Sequence, residues 1–143
     1  MQPSPIVAKK QLERLRAVCS NLPGTEERLS HGEPTFFVHS RVFAVFANNH
    51  HGDGHIAVWL PAPPGFQVGL TRESPEVFFK PPYVASTGWL GIELTKIDDE
   101  DLKYHVEIAW RMFATKRLQA TLSPDRPPAR LTLRGRPRGK SGA

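Results

Sequence analysis

The sequence predicts an α+β fold in which an antiparallel sheet of about five strands packs against an N-terminal and a C-terminal helix. Amphipathic helical patterns lie near both ends, at about 5–21 and 98–119, and strand patterns joined by short turns lie between them. Beyond residue 122 too few apolar residues remain to offset the entropy of ordering the chain. We therefore predict a folded domain over residues 1–122 and a disordered basic tail over residues 123–143.

The first helix has both a start and a stop signal. Ser4 is a typical N-cap, and Pro5 suits the first helical position because its missing N–H is not needed there. Pro23-Gly24 ends the helix, since proline cannot continue the hydrogen-bond ladder. Between these signals an apolar stripe recurs at spacings of three and four residues, formed by Ala8, Leu12, Leu15, Cys19 and Leu22.

The middle of the chain predicts an antiparallel meander. The polar, aperiodic residues 25–33 are interpreted as a connecting loop. Residues 35–39 and 42–47 are rich in β-branched and aromatic side chains and are separated by a short link, which predicts a hairpin. A turn cluster follows, and residues 55–60 form the third predicted strand.

Two further strands are predicted after a proline-rich break at residues 61–65 and a short helical turn at 66–71. One lies near 77–80 and stops there, because Pro81 and Pro82 lack the backbone N–H that a ladder requires. The other lies near 89–95, and its alternation places Leu90, Ile92 and Leu94 on one face.

The last helix is predicted from Asp98 to about residue 119. Asp98 is a good N-cap, and the acidic first turn is favourable at the positive end of the helix dipole. Lys116 and Arg117 suit the negative end. Its apolar positions recur at helical spacing and are Leu102, Val106, Ala109, Trp110 and Phe113.

Composition indicates an ordinary soluble protein, with 39% apolar and 23% charged residues. No apolar run reaches the roughly 18 residues that a membrane helix needs, so no membrane partner is expected. The N-terminus lacks the charged and apolar regions of a signal peptide. The single cysteine, Cys19, has no disulfide partner in the chain and suits a reducing compartment. We therefore expect a cytoplasmic location.

No catalytic signature is recognisable, since the sequence has no GxSxG elbow, P-loop, HExxH or GxGxxG motif. Residues 50–55 hold three histidines and an aspartate, which are ligand types for zinc or nickel. Adjacent histidines point in different directions, however, and the intervening glycines suit a hairpin turn. We predict no metal site, no cofactor and no catalytic residue, so the chain is more plausibly a binding protein than an enzyme.

The loop between the last two strands has two interpretations. Tyr83 and Trp89 flank small residues, so these aromatic rings either wall a pocket or attach the loop to the core. Lys80, at the end of the preceding strand, is either a phosphate or base contact or, as is more usual for a lone lysine at a strand end, a solvated edge charge. A small-molecule site or an unrecognised enzyme pocket near Tyr83, Trp89 and Lys80 is one functional hypothesis.

The distribution of charge gives the other hypothesis. Residues 1–122 hold 13 Lys or Arg and 13 Asp or Glu, so the net charge of +5 belongs to the tail. Cations spaced by proline and glycine suit contacts to phosphates without base recognition, which predicts non-specific DNA binding. The predicted phosphate contacts are Arg41 and Lys80 in the domain and Arg126, Arg130, Arg134, Arg136, Arg138 and Lys140 in the tail.

The order of short motifs resembles the MmcQ/YjbR-like family of small bacterial proteins. Residues 22–26 (LPGTE) follow the first helix, and residues 32–36 (GEPTF) open the first predicted strand. The pair PPYV and GWLGI follows at 81–84 and 88–92. The acidic cap at Asp98 and the Lys-Arg-Leu triplet at 116–118 complete the match, which covers roughly residues 6–119.

This resemblance implies an antiparallel sheet packed against helices from both ends of the domain, as in frataxin-like and secretion-chaperone-like folds. It also implies a DNA-binding role through two β-hairpin wings, for which the hairpins around Ser40-Arg41 and residues 48–55 are the candidates. The family pattern has glycine after Pro-Tyr-Val, where this chain has Ala85.

Overall fold

The computed structural model describes residues 4–122, and the predicted tail, residues 123–143, lies outside the described residues. Helix α1 spans Pro5–Ser20, with the Ser4 side chain accepting a hydrogen bond from the Ile6 N–H. The stripe predicted for this helix is confirmed, because Ala8, Leu15 and Cys19 are buried and Leu12 packs against the same core.

Within the described residues the sheet has six strands, in the order β1-β2-β3-β4-β6-β5, and every neighbouring pair is antiparallel. The α+β fold class is therefore confirmed, with one strand more than the sequence predicted. The strands are β1 (Glu26–Ser30), β2 (Glu33–Val38), β3 (Arg41–Asn48), β4 (Ile56–Leu60), β5 (Phe78–Phe79) and β6 (Leu90–Glu93).

Strand β1 corrects the prediction of a connecting loop at residues 25–33. It lies at the sheet edge and pairs with β2, while four of its five residues are exposed. An edge strand exposed on both faces needs no alternation of apolar and polar residues, which is the signal used to recognise a strand. The side chain of Arg28 lies over the Phe37 ring of β2 at 4.0 Å, so cross-strand packing supplements the backbone ladder.

Two tight turns connect the first three strands. His31-Gly32 and His39-Ser40 both have two consecutive residues with positive φ, the geometry that matches the right-handed twist of a two-residue hairpin. The register between β2 and β3 shifts between Phe36 and Phe37, where β3 carries one extra residue. The hairpin predicted around Ser40-Arg41 is confirmed.

One face of the sheet packs against α1 and the last long helix, α3, which spans Asp99–Phe113. The side chains of Leu90, Ile92 and Trp110 are fully buried in this core. The Trp110 indole N–H donates to the Pro23 carbonyl oxygen at 3.0 Å, which ties α3 to the end of α1. The main core therefore lies between this face of the sheet and the helices α1 and α3, as the sequence predicts.

The helix predicted over 98–119 is correct at its start and wrong at its end. The Asp98 side chain accepts from the Asp101 N–H at 2.8 Å, so the predicted cap is confirmed. Helix α3 stops at Phe113 because Ala114 is extended, with ψ 139°. Thr115 then caps a separate short helix, Lys116–Gln119, by accepting from the Leu118 N–H.

The region between β4 and β6 contains a helix longer than the predicted turn, α2, at Phe66–Glu73. Strand β5 ends at Phe79, before the two prolines, as expected. Gly91 of β6 pairs with Phe79, and a Cβ added at Gly91 would lie 2.5 Å from the Phe79 ring. Glycine is therefore required for the close approach of these two strands.

Candidate functional site

The second face of the sheet carries its own small apolar cluster. Ala47, Ala57 and Trp59 are buried there, and Val45, Phe79 and Trp89 pack against them. Trp59 is on this face because its strand neighbours Val58 and Leu60 point into the main core.

The loop between β5 and β6 forms one wall of a cavity of about 610 Å³ on this face. Strands β2, β3 and β4, the last residue of β1 and the turns after β1 and β3 supply the rest. The lining residues are Ser30, His31, Glu33, Thr35, Val42, Val45, His50, Trp59, Tyr83, Val84 and Trp89.

Helix α2 fixes the loop wall through Gln67. The Gln67 side-chain amide donates to the carbonyl oxygen of Ala85 at 2.9 Å and to that of Trp89 at 2.6 Å. Tyr83 has a φ of 69°, an uncommon conformation for an aromatic residue, and its side chain is 74% exposed at the cavity mouth. The loop is therefore held at its C-terminal half, while its aromatic tip meets solvent.

His50 enters the cavity from the turn after β3. This turn is closed by the Asn49 N–H donating to the His55 carbonyl oxygen at 2.6 Å and by the Asn49 side chain accepting from the Gly54 N–H at 2.8 Å. The His50 ring packs edge-on against Trp59, with ring centroids 4.9 Å apart, and against Tyr83 at 5.7 Å. Three rings from three different segments therefore meet at one point.

Glu33 orients the His50 imidazole. Glu33 follows the tight turn at the start of β2, and its Oε2 atom lies 3.2 Å from His50 Nδ1. A carboxylate can only accept a hydrogen bond, so Nδ1 carries the proton and Nε2 of a neutral ring presents its lone pair. His50 Nε2 is buried and has no hydrogen-bond partner among the described residues.

Trp59 also has a buried polar atom that lacks a hydrogen-bond partner among the described residues. Its side chain is only 6% exposed, and its indole Nε1 is buried without a hydrogen-bond partner within residues 4–122. Leaving such a group unpaired costs about 1–3 kcal/mol, and most buried polar atoms in folded proteins are paired. Both atoms belong to residues that line the cavity, but neither atom is accessible to solvent, so both lie beneath the cavity surface.

Two of the three residues of the pocket hypothesis lie at the cavity, and the third does not. Tyr83 and Trp89 both line the cavity, whereas Lys80 is exposed and is not among its lining residues. No lysine or arginine among the described residues lines it.

The two domain cations proposed for DNA contacts are not brought together. Arg41 begins β3, where its guanidinium lies over the Phe113 ring at 4.2 Å. Lys80 follows β5, and two other strands separate β3 from β5. At ~4.8 Å between neighbouring strands, the two positions are at least about 14 Å apart across the sheet. The six predicted contacts of the tail lie outside the described residues.

Two of the histidines in residues 50–55 contact different carboxylates. His50 faces Glu33, whereas His55 Nδ1 pairs with Glu93 at 2.8 Å and stacks on the Phe79 ring at 4.1 Å. In the part of the chain that is described, no group of three or more His, Cys, Asp or Glu side chains is placed to hold a metal ion.

Sequence patterns did not identify Glu33 or Trp59 as pocket residues, and they indicated His50 only as a candidate metal ligand. The alternation of β4 places Trp59 opposite the core, so a large apolar side chain on the outer face was a usable signal. No local signal joins Glu33 to His50, because they are 17 residues apart and meet only when β2 and β3 pair.

The protein is thus an α+β domain with a cavity on the outer face of its sheet. The residues that line this cavity come from segments spread between Ser30 and Trp89. The YjbR family model matches residues 20–112, so this chain belongs to the YjbR family, which confirms the resemblance seen in the motifs.

The fold is also similar to the crystal structure of Deinococcus radiodurans protein DR2400, assigned to the domain family DUF419. The TM-score is 0.64 at 19% identity, over 78% of this chain and 86% of that chain. At this identity the likeness shows the fold alone. The curated proteins contain no match to this chain. Among residues 4–122, no helix has the length and apolar character needed to cross a membrane.

Proposed function

We propose that this protein binds a small molecule with a flat ring in the cavity between the β5–β6 loop and the outer face of the sheet. The supporting observation is the cavity itself, where the side chains of Trp59, Tyr83 and Trp89 come together on the outer face of the sheet.

The size and lining of the cavity support this class of ligand. Its volume of about 610 Å³ falls within the range of roughly 300–1,000 Å³ that is usual for small-molecule sites. Trp59, Tyr83 and Trp89 offer ring surfaces for stacking. The described lining residues include no lysine or arginine, which disfavours phosphorylated ligands.

Titration with the flat bicyclic compounds quinoline and carbostyril tests this proposal. The chain has three tryptophans, so a ¹H–¹⁵N spectrum of the full-length protein shows three indole N–H signals. We expect the signals of Trp59 and Trp89 to shift with dissociation constants on the order of 1 mM, a usual value for ligands of this size. The Trp110 signal should stay in place, because that indole is buried in the other core.

A matched pair of variants locates the binding. Val45→Trp fills the cavity and should abolish the shifts, whereas Val68→Trp adds the same ring at an exposed position of α2 and should leave them unchanged. The unperturbed Trp110 signal checks that each variant is folded. Binding that persists in Val45→Trp, or shifts absent with both compounds, would overturn the proposal.

DNA binding through the tail is the second candidate function, and it is favoured by the sequence alone. Six cations against Asp125 give residues 123–143 the whole net charge of the protein. Arg41 and Lys80 are the proposed additional phosphate contacts, with the β2–β3 hairpin as a candidate wing. A salt-dependent titration with duplex DNA tests this candidate, because phosphate contacts release counterions and small-ring binding does not.

A further inference from the structure

We propose that the cavity selects flat aromatic cations, such as N-alkylated pyridinium and quinolinium rings, over neutral and anionic rings of similar shape. This inference rests on the proposed function and specifies the ligand class of the same site. It follows from three properties of the described cavity lining: one carboxylate, no lysine or arginine, and three large aromatic side chains.

Glu33 supplies the negative charge of the cavity. It lines the cavity at the start of β2, and 22% of its side chain is accessible to solvent. Its Oε2 atom accepts from His50 Nδ1 at 3.2 Å, and a hydrogen bond from a neutral imidazole leaves the carboxylate charged. Within residues 4–122, no lysine or arginine forms an ion pair with Glu33. The carboxylate is therefore available to a bound cation.

The basic residue on the neighbouring strand is held elsewhere. Arg28 of β1 pairs with Thr35, a lining residue, but its guanidinium lies over the Phe37 ring at 4.0 Å and does not line the cavity. Charges at a partly enclosed site are screened less than charges in bulk water. Glu33 therefore attracts cations into the cavity and repels anions.

The aromatic side chains favour the same sign of charge. Trp59 comes from β4, while Tyr83 and Trp89 come from the β5–β6 loop, and all three line the cavity. The face of an aromatic ring carries partial negative charge and attracts a cation placed over it, with tryptophan the strongest. A flat cation therefore gains from the rings and from Glu33 together, whereas a neutral ring gains only the stacking contacts.

The decisive comparison uses three flat bicyclic ligands that differ in charge: the cation N-methylquinolinium, the neutral 4-methylquinoline and the anion quinoline-2-carboxylate. Each is titrated into the full-length protein at about pH 8, where 4-methylquinoline is uncharged, with the indole signals of Trp59 and Trp89 as the readout. We expect the cation to bind about tenfold more tightly than the neutral ring, and the anion to bind more weakly than the neutral ring.

A matched pair of variants tests the source of this preference. Glu33→Gln keeps the size of the side chain and removes its charge. It should lower the preference for the cation from about tenfold to about twofold, while the affinity for 4-methylquinoline changes little.

Glu27→Gln is the control, because it removes the same charge from the opposite face of the sheet. Glu27 pairs with Phe36, which lies in the main core, and its carboxylate contacts Arg16 of α1. This variant should keep the full preference for the cation. The Trp110 signal checks that each variant is folded, and the three-ligand comparison in the unmodified protein depends on neither variant.

Each result decides between the proposals. Equal affinity for N-methylquinolinium and 4-methylquinoline, with binding still abolished by Val45→Trp, overturns cation selection and leaves the small-molecule function in place. Tighter binding of the anion than of the cation, or an undiminished preference in Glu33→Gln, also overturns cation selection through Glu33. Failure of all three ligands to shift the Trp59 and Trp89 signals overturns the proposed function itself, and cation selection with it.

Discussion

Cys19 shows how burial sets the chemistry of a single residue. Its side chain is 1% exposed on the inner face of α1, in the apolar stripe recognised from the sequence. Desolvation by burial, with a smaller contribution from the Glu27 carboxylate, raises the pKa of the Cys19 thiol far above its ordinary value. Because the thiolate is the reactive form, the folded protein holds this cysteine in its unreactive state.

We therefore predict that Cys19 does not react with a thiol reagent such as dithionitrobenzoate while the protein is folded. Labelling should follow the unfolding transition as denaturant is added, with unfolding monitored separately by tryptophan fluorescence. Raising the pH from neutral to about 9 should leave labelling of the native state negligible, because the raised pKa keeps the thiol protonated. Rapid labelling in native buffer would contradict the burial of this residue.

The residues of the site differ in how far the sequence identifies them. Tyr83 and Trp89 are recognisable because large aromatics in a loop of small residues need a surface to cover. Glu33 and His50 are individually unremarkable polar residues near turns. Their pairing depends on the register of β2 against β3 and on the positive φ of Asn49, which a local pattern does not contain.

At the scale of elements, the β5–β6 loop is positioned by one side chain of α2. Gln67 donates both of its hydrogen bonds to carbonyl oxygens of the loop, those of Ala85 and Trp89. Helix α2 therefore fixes the C-terminal half of the loop, including the backbone of Trp89.

We predict that Gln67→Glu loosens the loop selectively. Glutamate has the same size but presents oxygens to both carbonyls, so the two hydrogen bonds are replaced by repulsion. Global stability should fall by about 1–3 kcal/mol, the cost of losing partners for partly buried groups. Hydrogen exchange should accelerate in residues 80–89, and carbostyril affinity should fall.

Gln119→Glu is the matched control for that prediction. Its amide nitrogen donates to the carbonyl oxygens of Arg111 and Ala114, at the junction of the two C-terminal helices, and its amide oxygen accepts from the Arg111 guanidinium at 2.9 Å. Glutamate keeps the contact with the Arg111 guanidinium and loses the two donated hydrogen bonds. The same substitution should therefore accelerate exchange near residues 111–119 and leave the loop protected. Equal acceleration at both places in either variant would mean that the effect is global destabilisation and not loss of the loop attachment.

Elements also differ in how well the sequence specifies them. Helix α1 is recognisable from its apolar stripe, and the strands β2, β3 and β4 from their apolar runs, because each of these elements buries one face or both. Strand β1 buries almost nothing, so its existence depends on the backbone edge offered by β2. The break at Ala114 and Thr115 is equally hidden, because Ala114 is a good helix former and the new cap is visible only as a threonine.

At the scale of the whole molecule, the charge is divided sharply between the domain and the tail. Residues 1–122 are formally neutral, and the excess of five positive charges lies in residues 123–143. Within the described residues, several cations are already engaged: Arg14 donates to the Leu94 carbonyl oxygen at 2.6 Å, and Arg16 pairs with Glu27 at 2.8 Å. Electrostatic attraction to a polyanion therefore depends mainly on the tail.

We predict that the salt dependence of DNA affinity separates the tail from the domain. If all six tail cations contact phosphates, they contribute a slope of about −5 in log affinity against log salt, at roughly −0.9 per contact. Deleting residues 123–143 should remove most of the non-specific affinity, and Arg41→Ala with Lys80→Ala should remove what remains in the truncated protein.

Replacing the six tail cations with serine in the full-length chain is the control, because it keeps the length and removes the charge. Fluorescence anisotropy with a labelled duplex measures each slope. Unchanged binding after the deletion would mean that the domain, and not the tail, contacts DNA. Absence of binding by the full-length protein at low salt would exclude this candidate function.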